Sequence, residues 1–269
     1  MKALTSLVVL ITTLIMINGL KAEQITVLHI NDHHSHLKPD KRMSLMLDGK
    51  STRVQSGGMP AVVAKIKELE STSNNVIKLH AGDAISGSLF FTLFKGEADA
   101  ALMNEICFDA FVLGNHEFNE GDKGVAKFID FLKSEKCSTS VLAANIKPEV
   151  GVSALTPNSE TDYIQPYSII EKGGMKVGII GIDIVRKTIM SSSPDETTKF
   201  LDEAETSQKI VNELKKSGVK HIILLTHYGY ENELELAATI EGVDVIIGGD
   251  SHTLLGDFDK LGLNAAGPY

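Results

Sequence analysis

The sequence predicts an α/β fold in which mostly parallel central strands are flanked by helices, and two patterns support this prediction. Short apolar runs rich in β-branched residues indicate buried strands near residues 25–30, 76–80, 110–113, 140–143, 176–182, 221–226 and 243–247. Amphipathic stretches indicate helices near residues 59–70, 98–106, 124–134, 202–216 and 231–240. Strands that alternate with helices in this way are typical of a layered protein with a parallel sheet.

The first 22 residues have the pattern of a secretory signal peptide. Lys2 gives a positively charged start, and residues 7–17 form an apolar run interrupted by two threonines. An uncleaved membrane anchor is the alternative, because Leu20 is an unusual residue three positions before a cut after Ala22. No other stretch of the sequence is long and apolar enough to span a bilayer. We therefore expect an exported protein, periplasmic or extracellular, with residues 23–269 as one domain.

Later segments differ in how clearly they indicate structure. Residues 202–216 begin with an acidic turn and end with a basic one, and Gly218 follows, as a helix dipole and a C-terminal cap prefer. Segment 151–168 is polar and contains two prolines, and segment 187–200 is similar in character. Both are predicted to be excursions over the surface.

The charge of the chain disfavours some classes of partner. The formal charge is −9, and loss of Lys2 and Lys21 with the signal peptide would change it to −11. Such a surface does not favour nucleic acid polymers or anionic membranes. A phosphate-bearing substrate would need a local positive site, which metal ions could supply.

Cys107 and Cys137 are the two cysteines of the chain. Each precedes a predicted strand, so neighbouring parallel strands could bring them together. In an oxidising compartment they could form a disulfide, and the alternative is two separate buried thiols.

Five predicted strands are followed directly by residues that bind metals. These residues are Asp32 and His34, Asp83, Asn115 and His116, His227, and Asp250 and His252. Ligands of open α/β sheets bind beyond the carboxyl ends of the strands, so we expect these side chains to meet in one site. One histidine at a strand end is more often a satisfied polar residue than a ligand, but the joint pattern reverses that preference. Mixed nitrogen and oxygen donors suit zinc, manganese or a similar divalent metal.

Six stretches of the sequence also resemble the motifs of a known family. They are ITVLHINDHHSHL, AGDAISGSLFFTLFKG, FDAFVLGNHEFN, AANIK, LTHYG and GGDSHTLLG. Together they resemble the calcineurin-like metallophosphoesterases, in particular the 5′-nucleotidase branch that includes bacterial periplasmic UDP-sugar hydrolases and animal ecto-5′-nucleotidases. The resemblance implies a layered α/β metallophosphoesterase domain that hydrolyses phosphoric esters.

The resemblance further implies two divalent metal ions and a role for each motif residue. One ion would be held by Asp32, His34, Asp83 and His252. The other would be held by Asp83, Asn115, His227 and Asp250. His116 would be the catalytic histidine with Asn119 beside it, and Asn115 and His116 would contact the substrate. Two such ions can activate a water and stabilise the attacking and leaving oxygens of the displacement.

Two positions depart from the family pattern. The family commonly has histidine where this chain has Asp250, so Asp250 is expected either to ligate through an oxygen or to leave the coordination to its neighbour. Many relatives have aspartate where this chain has Asn119. An amide cannot stabilise an imidazolium by charge, which predicts a lower or shifted pH optimum rather than loss of activity.

The leading functional prediction is a secreted phosphohydrolase that acts on 5′-nucleotides. The chain ends at Tyr269, where the family's catalytic domain normally continues and is followed by a nucleotide-specificity domain. We therefore expect an incomplete catalytic domain, weakly active or inactive as it stands. Alternatives with the same chemistry are cleavage of pyrophosphates such as NAD or UDP-sugars and hydrolysis of 2′,3′-cyclic nucleotides. An alternative of another class is a non-catalytic secreted binding protein.

Overall fold

The computed structural model describes residues 24–39 and 43–269, which form two facing sheets with helices on both outer sides. The predicted signal peptide, residues 1–22, lies outside the described residues. Among the helices of the described residues, none combines the length and the apolar character needed to cross a bilayer.

The described elements alternate between strands and helices along most of the chain. The strands are β1 Thr26–Ile30, β2 Met43–Leu47, β3 Lys50–Val54, β4 Val76–His80, β5 Ala110–Val112, β6 Ser140–Leu142, β7 Ile146–Pro148, β8 Tyr167–Lys172, β9 Met175–Asp183, β10 Thr198–Phe200, β11 His221–His227 and β12 Val245–Ile247. The α-helices are α1 Gly58–Thr72, α2 Leu89–Phe94, α3 Glu97–Ile106, α4 Gly121–Leu132, α5 Val185–Ser191, α6 Glu203–Lys216 and α7 Tyr230–Thr239. Two 3₁₀ helices span Asn115–Glu120 and Asp259–Leu261.

Eight of the described strands form two four-stranded sheets, and the others pair as the antiparallel ribbons β2-β3 and β7-β10. The first has the order β1-β4-β5-β6 and is parallel throughout. The second has the order β12-β11-β9-β8, in which β8 is the one antiparallel strand. The prediction of mostly parallel strands flanked by helices is confirmed. The division into two sheets was not predicted, because an apolar run indicates a buried strand without indicating its neighbours.

An apolar layer between the sheets explains why the strands are apolar on both faces. Val177 and Ile179 of β9 pack in this layer, whereas Ile180 and Ile182 of the same strand pack on the side covered by α6. Side chains alternate across a strand, so a strand between two buried layers needs apolar residues at nearly every position. The first sheet is covered in the same way by α1, α3 and α4.

The two polar segments predicted as surface excursions do lie mostly at the surface, and a few buried residues anchor each of them to the fold. Segment 151–168 buries Leu155 in the core, and segment 187–200 includes the strand β10. The buried carboxylate of Asp122 links the two segments. It accepts hydrogen bonds from the hydroxyl groups of Ser153 and Thr198, one from each segment.

Cys107 and Cys137 form a disulfide with a Cα–Cα distance of 5.2 Å. Of the two possibilities for these cysteines, the structure shows the paired one. The bond joins the end of α3 to the segment before β6 across a sequence separation of 30. A cross-link of this loop length stabilises a protein by about 3 kcal/mol, mainly by restricting the unfolded chain.

Candidate metal centre

The seven residues predicted as metal ligands lie at one edge of the protein, beyond the carboxyl ends of five strands. β1, β4 and β5 carry them in the first sheet, and β11 and β12 carry them in the second. The seven residues are Asp32, His34, Asp83, Asn115, His227, Asp250 and His252. Because the five strands run in parallel within their sheets, their polar ends face the same region of space.

Five of these side chains approach one another within the distances of a ligand cluster. His252 Nε2 lies 3.3 Å from Asp32 Oδ1 and 3.1 Å from His34 Nε2. On the other side, His227 Nε2 lies 3.1 Å from Asp83 Oδ2, which is 3.7 Å from His34 Nε2. The donor atoms form overlapping triads whose members lie within 4.8 Å of one another. Asp32, His34 and Asp83 each belong to two of these triads.

Three buried acceptor atoms at this edge test whether the residues fit a metal. Asp32 Oδ1, Asn115 Oδ1 and His227 Nε2 are shielded from solvent and form no hydrogen bond with a described residue. An unsatisfied buried polar group costs about 1–3 kcal/mol, so such atoms normally have a partner. Divalent cations bound at this edge would supply these atoms with partners, and the residues therefore fit a metal.

His227 is oriented by a bond on the far side of its ring. Its Nδ1–H donates to the carbonyl oxygen of Ala81 at 2.8 Å, which leaves Nε2 directed at the carboxylates. Ligand histidines are commonly held in this way, with the second nitrogen bonded to a backbone carbonyl. Gly82 permits the contact, because a Cβ there would come within 2.5 Å of Nδ1.

Five of the seven predicted ligands have left-handed backbone. Their φ angles are 49° at Asp32, 44° at His34, 52° at Asp83, 75° at Asp250 and 51° at His252. For residues other than glycine this conformation is sparsely populated and costs of order 1 kcal/mol or more each. Such outliers cluster at functional sites, where they direct side chains that a regular strand end would spread apart.

The electrostatics of the cluster favour ionised carboxylates beside cations. Burial would raise the pKa of Asp32, but hydrogen bonding with His34 and the charge of His227 lower it to about 2. Burial likewise opposes protonation of His227, yet the neighbouring Asp83 carboxylate raises its pKa to about 10. The raised pKa of His227 shows that the neighbouring carboxylates stabilise a positive charge at this position, and a bound metal ion would supply one.

His116 and Asn119 form a hydrogen-bonded pair at the edge of the cluster. The amide Nδ2 of Asn119 lies 2.9 Å from His116 Nδ1 and donates to Ser86 Oγ at 2.9 Å. The hydroxyl of Ser192 donates to the carbonyl oxygen of Asn115 at 2.6 Å. Because the amide donates to Nδ1, the neutral ring carries its proton on Nε2. The ring packs edge-on against His34, with centroids 5.1 Å apart.

Glu117 is a buried carboxylate for which the sequence suggested no role. Its two oxygens accept four backbone N–H bonds, from Asp83 at 2.9 Å, Ala84 at 2.8 Å, Ile85 at 3.3 Å and Gly114 at 2.7 Å. Burial, and next the charge of Asp83, raise its pKa to about 8. One side chain thus ties the loop after β4 to the loop after β5 and fixes Asp83 relative to Asn115.

Replacing Glu117 with glutamine is expected to loosen both loops. The NH₂ group of glutamine is a donor and would face backbone N–H groups that are also donors. At least one buried hydrogen bond would therefore be lost, at a cost of about 1–3 kcal/mol. We expect a lower melting temperature and weaker Mn²⁺ binding in isothermal titration. The exposed Glu135 gives the control Glu135→Gln, and equal Mn²⁺ affinity in both variants would contradict this role.

Asp250 and His33 lie beside the cluster but face other partners. Asp250 Oδ1 is bonded to the ammonium group of Lys187 and lies 3.7 Å from His227 Nε2. His33, between two predicted ligands, turns away and contacts His80 at 2.9 Å and Asp99 at 3.2 Å. Sequence reasoning also missed Lys187 and Ser192, since both lie in the segment that was predicted to be a surface excursion.

The fold and this cluster are those of the calcineurin-like phosphoesterases, and the chain belongs to that family. The family model matches residues 25–254. The resemblance seen in the motifs is thereby confirmed, and with it the family's dependence on divalent metals.

Comparison with individual proteins narrows the resemblance to 5′-nucleotidases. The chain is 43% identical over 248 residues to a probable 5′-nucleotidase of Treponema pallidum, covering 91% of this chain and 40% of that protein. It is 45% identical over 241 residues to the NAD 5′-nucleotidase of Haemophilus influenzae, covering 90% and 38%. The solved structure of the Haemophilus influenzae NAD nucleotidase superposes with a TM-score of 0.82 at 44% identity, covering 90% of this chain and 46% of that one. The chain therefore spans less than half the length of these relatives.

Proposed function

We propose that this protein is a secreted, metal-dependent phosphohydrolase that removes phosphate from 5′-nucleotides with two divalent ions. The observation that carries the proposal is the set of buried acceptors, Asp32 Oδ1, Asn115 Oδ1 and His227 Nε2, which form no hydrogen bond with a described residue at the edge where the predicted ligands meet. Membership of the phosphoesterase family and the 5′-nucleotidase relatives support the same reading. The signal-peptide pattern of residues 1–22 supports export.

In this proposal the ligands divide into two sets that share Asp83. Asp32, His34 and His252 complete one set, and Asn115, His227 and Asp250 complete the other. Divalent ions bound there would bring the pKa of a water toward neutrality and stabilise charge on phosphoryl oxygens. Zinc or manganese suits the mixture of imidazole nitrogens and carboxylate oxygens.

The chain's own contribution to the reaction is to position the phosphoryl group and supply a proton donor. His116 presents an Nε2–H, since Asn119 donates to its other nitrogen. That N–H can stabilise charge on a phosphoryl oxygen or protonate the leaving oxygen. The Asn119 amide also donates to Ser86 Oγ, so its orientation, and with it the tautomer of His116, is set by two hydrogen bonds.

The proposal is tested with the purified full chain. The protein is stripped with a chelator and reloaded with Mn²⁺ or Zn²⁺, bound metal is counted by mass spectrometry, and phosphate release from AMP is measured against p-nitrophenyl phosphate. Two ions per chain and metal-dependent phosphate release support the proposal. A stripped and reloaded chain that holds no metal and releases no phosphate would point to the non-catalytic binding protein instead.

Pyrophosphate cleavage of NAD is the second candidate. It is favoured by the Haemophilus influenzae relative, whose name is NAD 5′-nucleotidase and which shares 45% identity over 241 residues. The same assay distinguishes the two when NAD replaces AMP. Release of AMP and nicotinamide mononucleotide before phosphate would indicate cleavage of the pyrophosphate bond.

Replacing Asn119 with aspartate is expected to change the pH dependence of hydrolysis. A carboxylate accepts a hydrogen bond from Nδ1–H and stabilises a neighbouring imidazolium by its charge, which an amide cannot do. The pH–rate profile of Asn119→Asp should therefore shift toward alkaline pH on the limb that follows His116. The exposed Asn212 gives the control Asn212→Asp, and coincident profiles for Asn119→Asp and wild type would refute the role of the amide.

A further inference from the structure

Lys187 approaches the candidate metal centre from α5. Its ammonium group is bonded to Asp250 Oδ1, and its side chain is 46% exposed while that of Asp250 is 9% exposed. Within the described residues, no other lysine or arginine forms an ion pair with Asp32, Asp83 or Asp250. In the part of the chain that the structure describes, Lys187 is therefore the one lysine or arginine paired with any of these three carboxylates.

The backbone that carries Lys187 is fixed rather than free. The hydroxyl of Thr188 donates to the buried Asp183 Oδ2 at 2.6 Å, and Val185 N donates to Glu203 Oε1 at 2.9 Å. One residue beyond the helix, Ser192 Oγ donates to the carbonyl oxygen of Asn115 at 2.6 Å. These bonds hold the helix against the site, so the fold fixes the backbone from which the Lys187 side chain reaches Asp250.

An ammonium group at this place acts in opposite directions on cations and anions. Asp250 Oδ1 lies 3.7 Å from His227 Nε2, so a metal that used this oxygen would compete with Lys187 for it. The same charge attracts an anion that approaches the open side of the centre. In a half-exposed site, one unit charge a few ångströms away changes the dissociation constant of a bound metal ion or anion by about tenfold.

We propose that Lys187 has two effects on the centre: through its ion pair with Asp250 it weakens metal binding at that carboxylate, and by its own charge it strengthens the binding of phosphate to the loaded centre. The inference rests on the proposed function, because it takes a phosphate group as the anion. It adds to that function the side chain that neutralises the charge of Asp250.

The test compares Lys187→Met with Lys187→Arg, which keeps the charge, and with Lys209→Met on the exposed face of α6. Mn²⁺ is titrated calorimetrically into the chelator-stripped full chain, and inorganic phosphate is titrated into the Mn²⁺-loaded chain. For Lys187→Met we expect Mn²⁺ to bind about tenfold more tightly and phosphate to bind about tenfold more weakly than in wild type. Both other variants should stay within about twofold of wild type in each titration.

A salt bridge with only a structural role would lower the melting temperature and leave both affinities unchanged, and that result would overturn the inference. A double-mutant cycle with Asp250→Asn checks the route of the effect. Lys187→Met should change Mn²⁺ affinity by less than about twofold when residue 250 is already asparagine. An undiminished effect in that background would show that Lys187 does not act through Asp250.

The same titrations separate this inference from the proposed function. A wild-type chain that binds neither Mn²⁺ nor phosphate overturns both. A wild-type chain that binds both, with a Lys187→Met variant that behaves identically, overturns the inference about Lys187 alone.

Discussion

Replacement of Asp83 with asparagine is expected to lower the rate of hydrolysis by at least about a thousandfold, because this residue is the shared member of both proposed ligand sets. Its side chain contacts His227 Nε2 at 3.1 Å and His34 Nε2 at 3.7 Å, and its second oxygen accepts the His116 backbone N–H at 2.8 Å. An amide preserves the shape but removes the charge that would neutralise two cations. Bound Mn²⁺ should fall from two ions per chain to one or none.

The same variant should lose the stabilisation that metal gives. A ligand that binds only the folded state stabilises a protein by about 2.7 kcal/mol when its free concentration is a hundred times its dissociation constant. This stabilisation is measured as a higher melting temperature. Wild type should show that rise on addition of Mn²⁺, and Asp83→Asn should not. The exposed Asp130 on α4 provides Asp130→Asn as the matched control. Two bound ions and activity within tenfold of wild type in Asp83→Asn would rule out a shared carboxylate.

The sequence predicted the position of the cluster because strand ends are local features. A run such as residues 221–226 indicates a buried strand, and the polar residue that follows must lie at its end. His227 could therefore be assigned to the site before its partners were known. The same logic gave Asp32, Asp83 and Asn115, since the carboxyl ends of parallel strands share one edge.

Glu117 and Lys187 could not be found in this way because their roles depend on tertiary contacts. Glu117 accepts bonds from backbone groups in two loops that lie about thirty positions apart in sequence, a relation that no local pattern encodes. Lys187 meets Asp250 across 63 positions from a segment of polar composition. That segment is mostly exposed, so nothing in its local sequence distinguishes Lys187 from an ordinary surface lysine.

One element was missed although its signal was present. The β2–β3 hairpin turns at Asp48 and Gly49, whose φ angles are 51° and 74°. An Asp-Gly pair between two short strands is a strong indicator of a tight hairpin turn. The hairpin lies away from the metal-ligand residues, so its omission left the prediction of the site unchanged.

Replacement of His116 with glutamine is expected to slow hydrolysis by about a hundredfold to ten-thousandfold while both metals stay bound. The distinction matters because His116, His34 and Asp83 lie close enough together for all three to ligate one ion. The backbone N–H of residue 116 would still donate to Asp83 Oδ1, so the carboxylate should keep its place in the variant.

Metal counting and kinetics on His116→Gln therefore separate a proton donor from a ligand. A donor to the phosphoryl group or leaving oxygen lowers kcat and leaves Mn²⁺ stoichiometry and affinity as in wild type. A ligand lowers Mn²⁺ affinity tenfold or more, and added metal then restores part of the rate. The hydrogen bond from Asn119 occupies Nδ1 and leaves Nε2 as the proton-bearing atom of the neutral ring, which is the form of a donor and not of a ligand. Retained metal with lost turnover is for that reason the expected result.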